Sequence, residues 1–211
     1  SGDAGDAGDA GDAGRLPYLG IQHRLDKETS GIVVFSLARE ANAGLHRAFE
    51  QQQVRKTYLA LTVPAATAHG PEFVVSGLMA RVSAQGAAAR WGMVQSGGLF
   101  SETLFRVDAS SPRAMLLSAM PRTGRTHQIR VHAAHAGMAL LGDRLYGGPR
   151  GLAGIDIPRV MLHAARLLLP HPISGRELCL QAAAPADFCA VMAGLGLAAN
   201  PSEPGGGHDR H

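Results

Sequence analysis

Lys56 to Val63 alternates at every step. Leu59, Leu61 and Val63 fall on one side of an extended chain, and Tyr58, Ala60 and Thr62 on the other. A period of two belongs to a β-strand, and a single apolar side implies a half-buried one. Further strands are expected at Ile32–Phe35, after a Thr-Ser-Gly turn, and at Leu104–Val107 and Met115–Met120, joined by a Ser-Ser-Pro turn at 110–112. Leu167–Leu169 and Leu178–Leu180 flank Pro170-His-Pro-Ile-Ser-Gly-Arg176 as the arms of a hairpin. Helical spacing is confined to three stretches: Arg39–Gln52, with Ala41, Leu45, Ala48 and Phe49 on one face; Thr126–Ala136, with Gly137 as its stop; and residues 186–195. Many strands, few helices and no regular strand–helix alternation predict an α+β fold, a mostly antiparallel mixed sheet with flanking helices.

The first fourteen residues are a Gly-Asp-Ala repeat that has nothing to bury. They are expected to form a flexible tail or linker, 198–211 a disordered tail, and 15–197 one domain. The formal net charge of +3 includes Asp3, Asp6, Asp9 and Asp12; without those four the remainder carries +7. Only Lys27 and Lys56 are lysines among the 20 basic residues. Arginine forks suit phosphate oxygens and stack on bases, although a compositional bias explains them equally well. No run spans a bilayer and no signal segment opens the chain, which predicts a cytoplasmic protein without membrane contact. Cys179 and Cys189 are expected to be reduced thiols, without the spacing of a zinc site.

Three segments place polar residues where a plain core would not want them. The first, Gln22 to Gly31, contains His23, Arg24, Asp26, Lys27 and Glu28 and runs straight into the apolar stretch at 32–35. Arg24 and Lys27 favour the charged form of Asp26, which suits a nucleophile or base. By residue types alone, however, this is a salt-bridged surface turn before it is a site. The second, Arg122 to His132, puts Gly124 and Arg125 before a helix start, an arrangement suited to an RNA phosphate, with Arg130 on the helix and His132 and His135 near a site. His127, His132 and His135 do not share a face and lack a carboxylate, so no metal is expected. The third, Arg55-Lys56-Thr57-Tyr58, makes Tyr58 either an amphipathic aromatic at a sheet edge or a stacking platform for a base.

Together these segments resemble the motifs of RluA-type pseudouridine synthases, in the same order. His23-Arg-Leu-Asp-Lys-Glu-Thr-Ser-Gly31 resembles the HRLDxxTSG signature, and Lys56-Thr-Tyr58 the K-x-Y strand. Thr123-Gly-Arg-Thr-His-Gln-Ile-Arg-Val-His132 resembles the TGRTHQIRVH segment, Leu141-Gly-Asp-Arg-Leu-Tyr-Gly147 the LGDxxYG loop, and Leu162-His-Ala164 the LHA segment. The resemblance spans roughly 19–189. It implies the pseudouridine synthase catalytic fold and an isomerase that turns specific uridines of ribosomal or transfer RNA into pseudouridine by base flipping, with no cofactor and no metal. It implies that Asp26 is the catalytic carboxylate, that Tyr58 packs on the base, and that Arg130 pairs with Asp26. Arg24 would fill the space of the flipped nucleotide and Leu162 would wall the uracil pocket. His23, Leu25, Thr29, Arg125, Thr126, His127 and Gln128 would complete substrate binding.

The family has a strand with an NKPAG-like segment ahead of the HRLD motif, in whose place stand the repeat and Arg15-Leu-Pro-Tyr-Leu19. An N-terminally truncated domain is therefore expected, with an edge or unfilled groove beside the Asp26 turn. The alternative function is a catalytically impaired homologue acting only as an RNA-binding module. Nothing suggests a dimer seam, so a monomer is expected.

Overall fold

The computed structural model describes residues 18–65, 69–83 and 89–197. The tails expected at 1–14 and 198–211 lie outside them. In chain order the elements are β1 (Gly20–Ile21), β2 (Ser30–Gly31), β3 (Phe35–Ser36), α1 (Glu40–Glu50), β4 (Arg55–Thr62), β5 (Glu72–Ser83), β6 (Arg90–Val94), β7 (Leu99–Ser110), β8 (Met115–Pro121), α2 (Gln128–His135), a 3-10 turn at Arg144–Tyr146, β9 (Gly151–Leu152), β10 (Ile155–Asp156), β11 (Leu162–Pro170), β12 (Glu177–Gln181) and α3 (Ala186–Gly194).

One eight-stranded sheet runs β12-β11-β4-β8-β7-β5-β6, with β2 added beside β11. Its pairs are antiparallel apart from β2 with β11, so the α+β, mostly antiparallel architecture is as expected. β4 departs from the half-buried expectation. It lies inside the sheet, and Leu59, Ala60, Leu61 and Thr62 are all buried. Both faces are covered. Ala60, Phe105, Leu117 and Ala119 pack with Ile129 and Ala133 of α2, while Leu59, Leu61 and Leu116 pack with Phe188, Val191 and Met192 of α3. Each fully buried leucine of this kind contributes roughly 1.5–3 kcal/mol. Tyr58 is accordingly not at an edge, since it pairs with Ala119 on one side and Ala164 on the other.

α1 forms where its apolar spacing lies and buries Ala41, Leu45 and Ala48 against Leu167 and Leu169 of β11. Glu40 in its first turn and Arg47 in its last complement the helix dipole. Two expectations shift. Of Ile32–Phe35 only Phe35 joins a strand, because the chain leaves β11 after Ile32 N–H bonds to the Ala164 carbonyl and its next ladder is the short one with β1. The helix expected from Thr126 begins at Gln128, because His127 holds a left-handed backbone, φ 56° and ψ 20°. Strands β5 and β6 carry no expectation from the pattern. Val74 and Val82 are exposed on β5 opposite buried Val75 and Met79, which erases the alternation.

The parallel β2–β11 contact positions the Asp26 turn. Gly31 sits at φ 115°, and a Cβ there would lie 2.3 Å from the Ala164 carbonyl oxygen, so this approach requires glycine.

Candidate active site

A cleft of about 530 Å³ opens over β4, between the C-terminal end of α1 and the start of α2. That volume suits a nucleotide-sized ligand. Asp26 reaches it from a turn tied down on every side. The Asp26 carbonyl accepts the Thr29 N–H (2.9 Å), His23 Nε2 accepts the Val34 N–H (3.0 Å), and Ser30 Oγ bonds to His163 Nδ1 (3.0 Å). The Glu28 carboxylate takes Arg150 (3.1 Å) and the Val160 N–H (3.2 Å). With its neighbours held, Asp26 points into the cleft, and its side chain remains 21% exposed.

Arg130 donates from Nη1 to Asp26 Oδ2 at 3.3 Å. Its other nitrogens are held by Asp143, Nε to Oδ2 at 2.7 Å and Nη2 to Oδ1 at 2.9 Å. Burial opposes the Arg130 charge, but the bonds and charges of Asp143 and then Asp26 overcome it and hold the guanidinium above its usual range. The Tyr146 ring lies under it, 5.1 Å from the guanidinium carbon. Burial first, and the Asp26 charge second, push the Tyr58 phenol up to about 12, so it is a neutral hydroxyl at ordinary pH. Burial lowers Lys56, and burial followed by the Lys56 charge lowers His23. Arg24, Lys56, Arg122, Arg125 and Arg130 outnumber Asp26 and Glu50 around the cleft, which makes it attractive to a polyanion.

Of the residues singled out in the sequence, Asp26, Tyr58, Arg130, His23, Arg24, Leu25, Thr29, Arg125, His127, Gln128 and Leu162 all line this cleft. Thr126 does not; its residue is exposed beyond the rim. Thr29 Oγ1 is buried with no hydrogen-bond partner among the described residues, as a group awaiting a ligand would be. Gln128 faces the cleft only in part. Its amide oxygen accepts Thr123 Oγ1 (2.6 Å) and the Arg125 N–H (3.0 Å), and its amide nitrogen donates to the Glu102 carbonyl (2.9 Å) and Thr103 Oγ1 (3.0 Å). An amide near Gly124 that the sequence offered to a phosphate is thus capped internally. His132 is likewise interior, bonded to Ser101 and Thr103 at 2.9 Å each, and His135 is exposed, so neither lines the cleft. Among the described residues no three His, Cys, Asp or Glu side chains are grouped to hold a metal ion.

Sequence reasoning assigned no role to Asp143, Tyr146 or Lys56. The first two sit in the Leu141–Gly147 motif and the third in Lys56–Tyr58, so their motif positions were the available signal.

The family model described as RNA pseudouridylate synthase matches residues 9–135, more than half of the chain. Over 168 residues the chain is 36% identical to "Ribosomal large subunit pseudouridine synthase C" of Yersinia pestis, a match covering 78% of this chain and 52% of that protein. Over 183 residues it is 36% identical to "Ribosomal large subunit pseudouridine synthase D" of Nitrosomonas europaea, covering 84% and 52%. The chain therefore spans about half the length of these curated relatives. Among solved structures it is similar to Human RNA Pseudouridylate Synthase Domain Containing 4, with a TM-score of 0.69, 28% identity, and 86% and 77% of the two chains covered. The chain belongs to the RNA pseudouridylate synthase family, in its RluA-type branch.

Proposed function

We propose that this chain isomerises uridine to pseudouridine in ribosomal RNA, with Asp26 as the catalytic carboxylate. The single observation that carries the reading is the Asp26–Arg130–Asp143 array beside the Tyr58 hydroxyl in an electropositive cleft. A carboxylate that ends one arginine fork while a second, buried carboxylate holds the other end is oriented before substrate arrives. The large-subunit names of the relatives favour ribosomal over transfer RNA, and such a substrate implies a cytoplasmic setting.

The reaction breaks the C1′–N1 glycosidic bond, turns the uracil and forms a C1′–C5 bond. C5 loses its proton and N1 gains one, so the formula is unchanged and no redox partner is required. Asp26 attacks the uridine or takes a ribose proton. Tyr58 and Leu162 flank the ring, and Thr29 Oγ1 offers it a hydrogen bond. Arg24, exposed at the cleft mouth, fills the gap left when the nucleotide flips out of its stack.

The test is tritium release from RNA labelled at uridine C5. Wild type is expected to release tritium and yield pseudouridine. Asp26→Asn is expected to release none while its RNA dissociation constant stays within about threefold, since RNA affinity rests mainly on cationic contacts to phosphates, which a carboxylate does not make. Full turnover by Asp26→Asn overturns the mechanism, and RNA binding without turnover by wild type leaves a binding module instead.

A further inference from the structure

Two non-glycine residues that line the cleft hold a positive φ, Gln52 at 55° and His127 at 56°, and of these His127 has its ring beside Asp26. A non-glycine side chain at φ 56° is strained, and such strain gathers where a side chain must be aimed. Its ring makes two contacts. Nδ1 lies 2.9 Å from the Tyr146 hydroxyl, and Nε2 lies 4.0 Å from Asp26 Oδ2. The Tyr146 hydroxyl accepts the Trp91 N–H at 3.1 Å, so its own proton is free for His127 Nδ1. A Tyr146 hydroxyl that donates this proton to Nδ1 places the imidazole's own proton on Nε2, the nitrogen that faces the carboxylate. Burial first, then the Arg130 charge, lowers the affinity of this ring for a second proton, which keeps it neutral.

Resting on the pseudouridine synthase reading, we propose that His127 is a positioning residue. Its Nε2–H, set by the Trp91–Tyr146 relay, joins Arg130 on Asp26 Oδ2 and leaves Oδ1 as the oxygen turned to the uridine. Arg130 and His127 both converge on Oδ2, and no hydrogen bond reaches Oδ1 among the described residues. The 4.0 Å separation is longer than a hydrogen bond, and catalytic contacts of this kind close when substrate enters. The relay also ties the reacting carboxylate to β6, a strand with no residue lining the cleft.

His127→Gly removes the ring and relieves the backbone. If His127 served stability alone, turnover would survive. A kcat at least about tenfold lower is expected, with KM for RNA within about twofold and a thermal midpoint equal or higher. A kcat within about twofold of wild type overturns the proposal. The pair His127→Gln and His127→Asn gives the second readout. The glutamine amide nitrogen reaches the Nε2 position and the asparagine nitrogen only the Nδ1 position, and Asn tolerates the left-handed backbone better. Higher kcat in the Gln variant supports the role, and equal or lower kcat overturns it. Nitrogen-15 NMR of the imidazole separates this proposal from the reading it rests on. The Nε2–H tautomer in wild type, giving way to a mixture in Tyr146→Phe, is the expected result, and Nδ1–H in wild type overturns it. If wild type turns over no RNA, the functional reading fails and the tautomer still decides the relay.

Discussion

Asp143 holds Arg130 through two hydrogen bonds, 2.7 Å to Nε and 2.9 Å to Nη2, while Asp143 itself is almost wholly buried. Only Nη1 of the guanidinium remains to meet Asp26. The arginine is therefore a rigid strut between two carboxylates, and its direction is set from behind by a residue with no place on the cleft wall.

Asp143→Asn turns one of those acceptors into a donor facing a donor. Breaking a buried pair from one side costs about 3–5 kcal/mol. The variant is expected to show a lower denaturant midpoint at unchanged m-value and, where it folds, a kcat at least about tenfold lower. Unchanged turnover would show that Arg130 needs no strut.

Arg130→Ala removes the charge that faces Asp26. Turnover is expected to fall by at least about tenfold in single-turnover kinetics, since electrostatic roles of this kind are worth at least 1.4 kcal/mol. A smaller loss would assign the orientation of Asp26 to its turn alone.

The Tyr58 phenol, pushed up to about 12 by burial and then by Asp26, has a sign that is simple to work out. Its folded value lies above the ordinary value near 10, so its contribution to stability is complete below pH 10 and is lost as pH rises toward 12. Spectrophotometric titration of wild type against Tyr58→Phe should show no Tyr58 phenolate below about pH 10 while the fold persists. Ionisation near the ordinary value would mean that the hydroxyl is open to water.

His132 predicts an acid effect of the opposite sign. Burial first, and His135 second, bring it down to about 4. The unfolded chain binds this proton below about pH 6.5 and the folded chain does not, so stability is full above that pH and falls as pH drops through about 4. The loss amounts to roughly 3 kcal/mol at its limit. Urea midpoints of wild type and His132→Gln, compared from pH 7.5 down to about 4, should converge or cross; parallel curves would refute the assignment.

Gly31→Ala tests how the Asp26 turn is seated. The new Cβ would meet the Ala164 backbone at a φ of 115°. A stability loss of more than about 1 kcal/mol is expected, together with reduced turnover, because the turn must lift from β11. Unchanged turnover in a folded variant would show that the β2–β11 contact does not aim Asp26.

The chain's pattern announced a good part of this. The two-residue period around Leu59 and Leu61, the three-to-four spacing of Ala41, Leu45 and Ala48, and the motif residues Asp26, Tyr58 and Arg130 are all local, readable from neighbours along the chain. The pattern was silent where a side chain's task depends on what folds against it. Gln128 and His132 look like site residues in the motif, yet Glu102, Thr103 and Ser101 from β7 claim their polar atoms. Residues 32–34 have strand composition, but a strand needs a partner along its whole length. His127 sits in a helical pattern and leaves it to face Asp26. The Asp26–Arg130 contact joins residues 104 positions apart, and it exists because the path of β4, β8 and β11 brings the turn and α2 to one cleft. Backbone preference and residue chemistry act over a few bonds and are written locally. Which oxygen of Asp26 is bound, and which is left free, follows from distances that the assembled sheet alone sets.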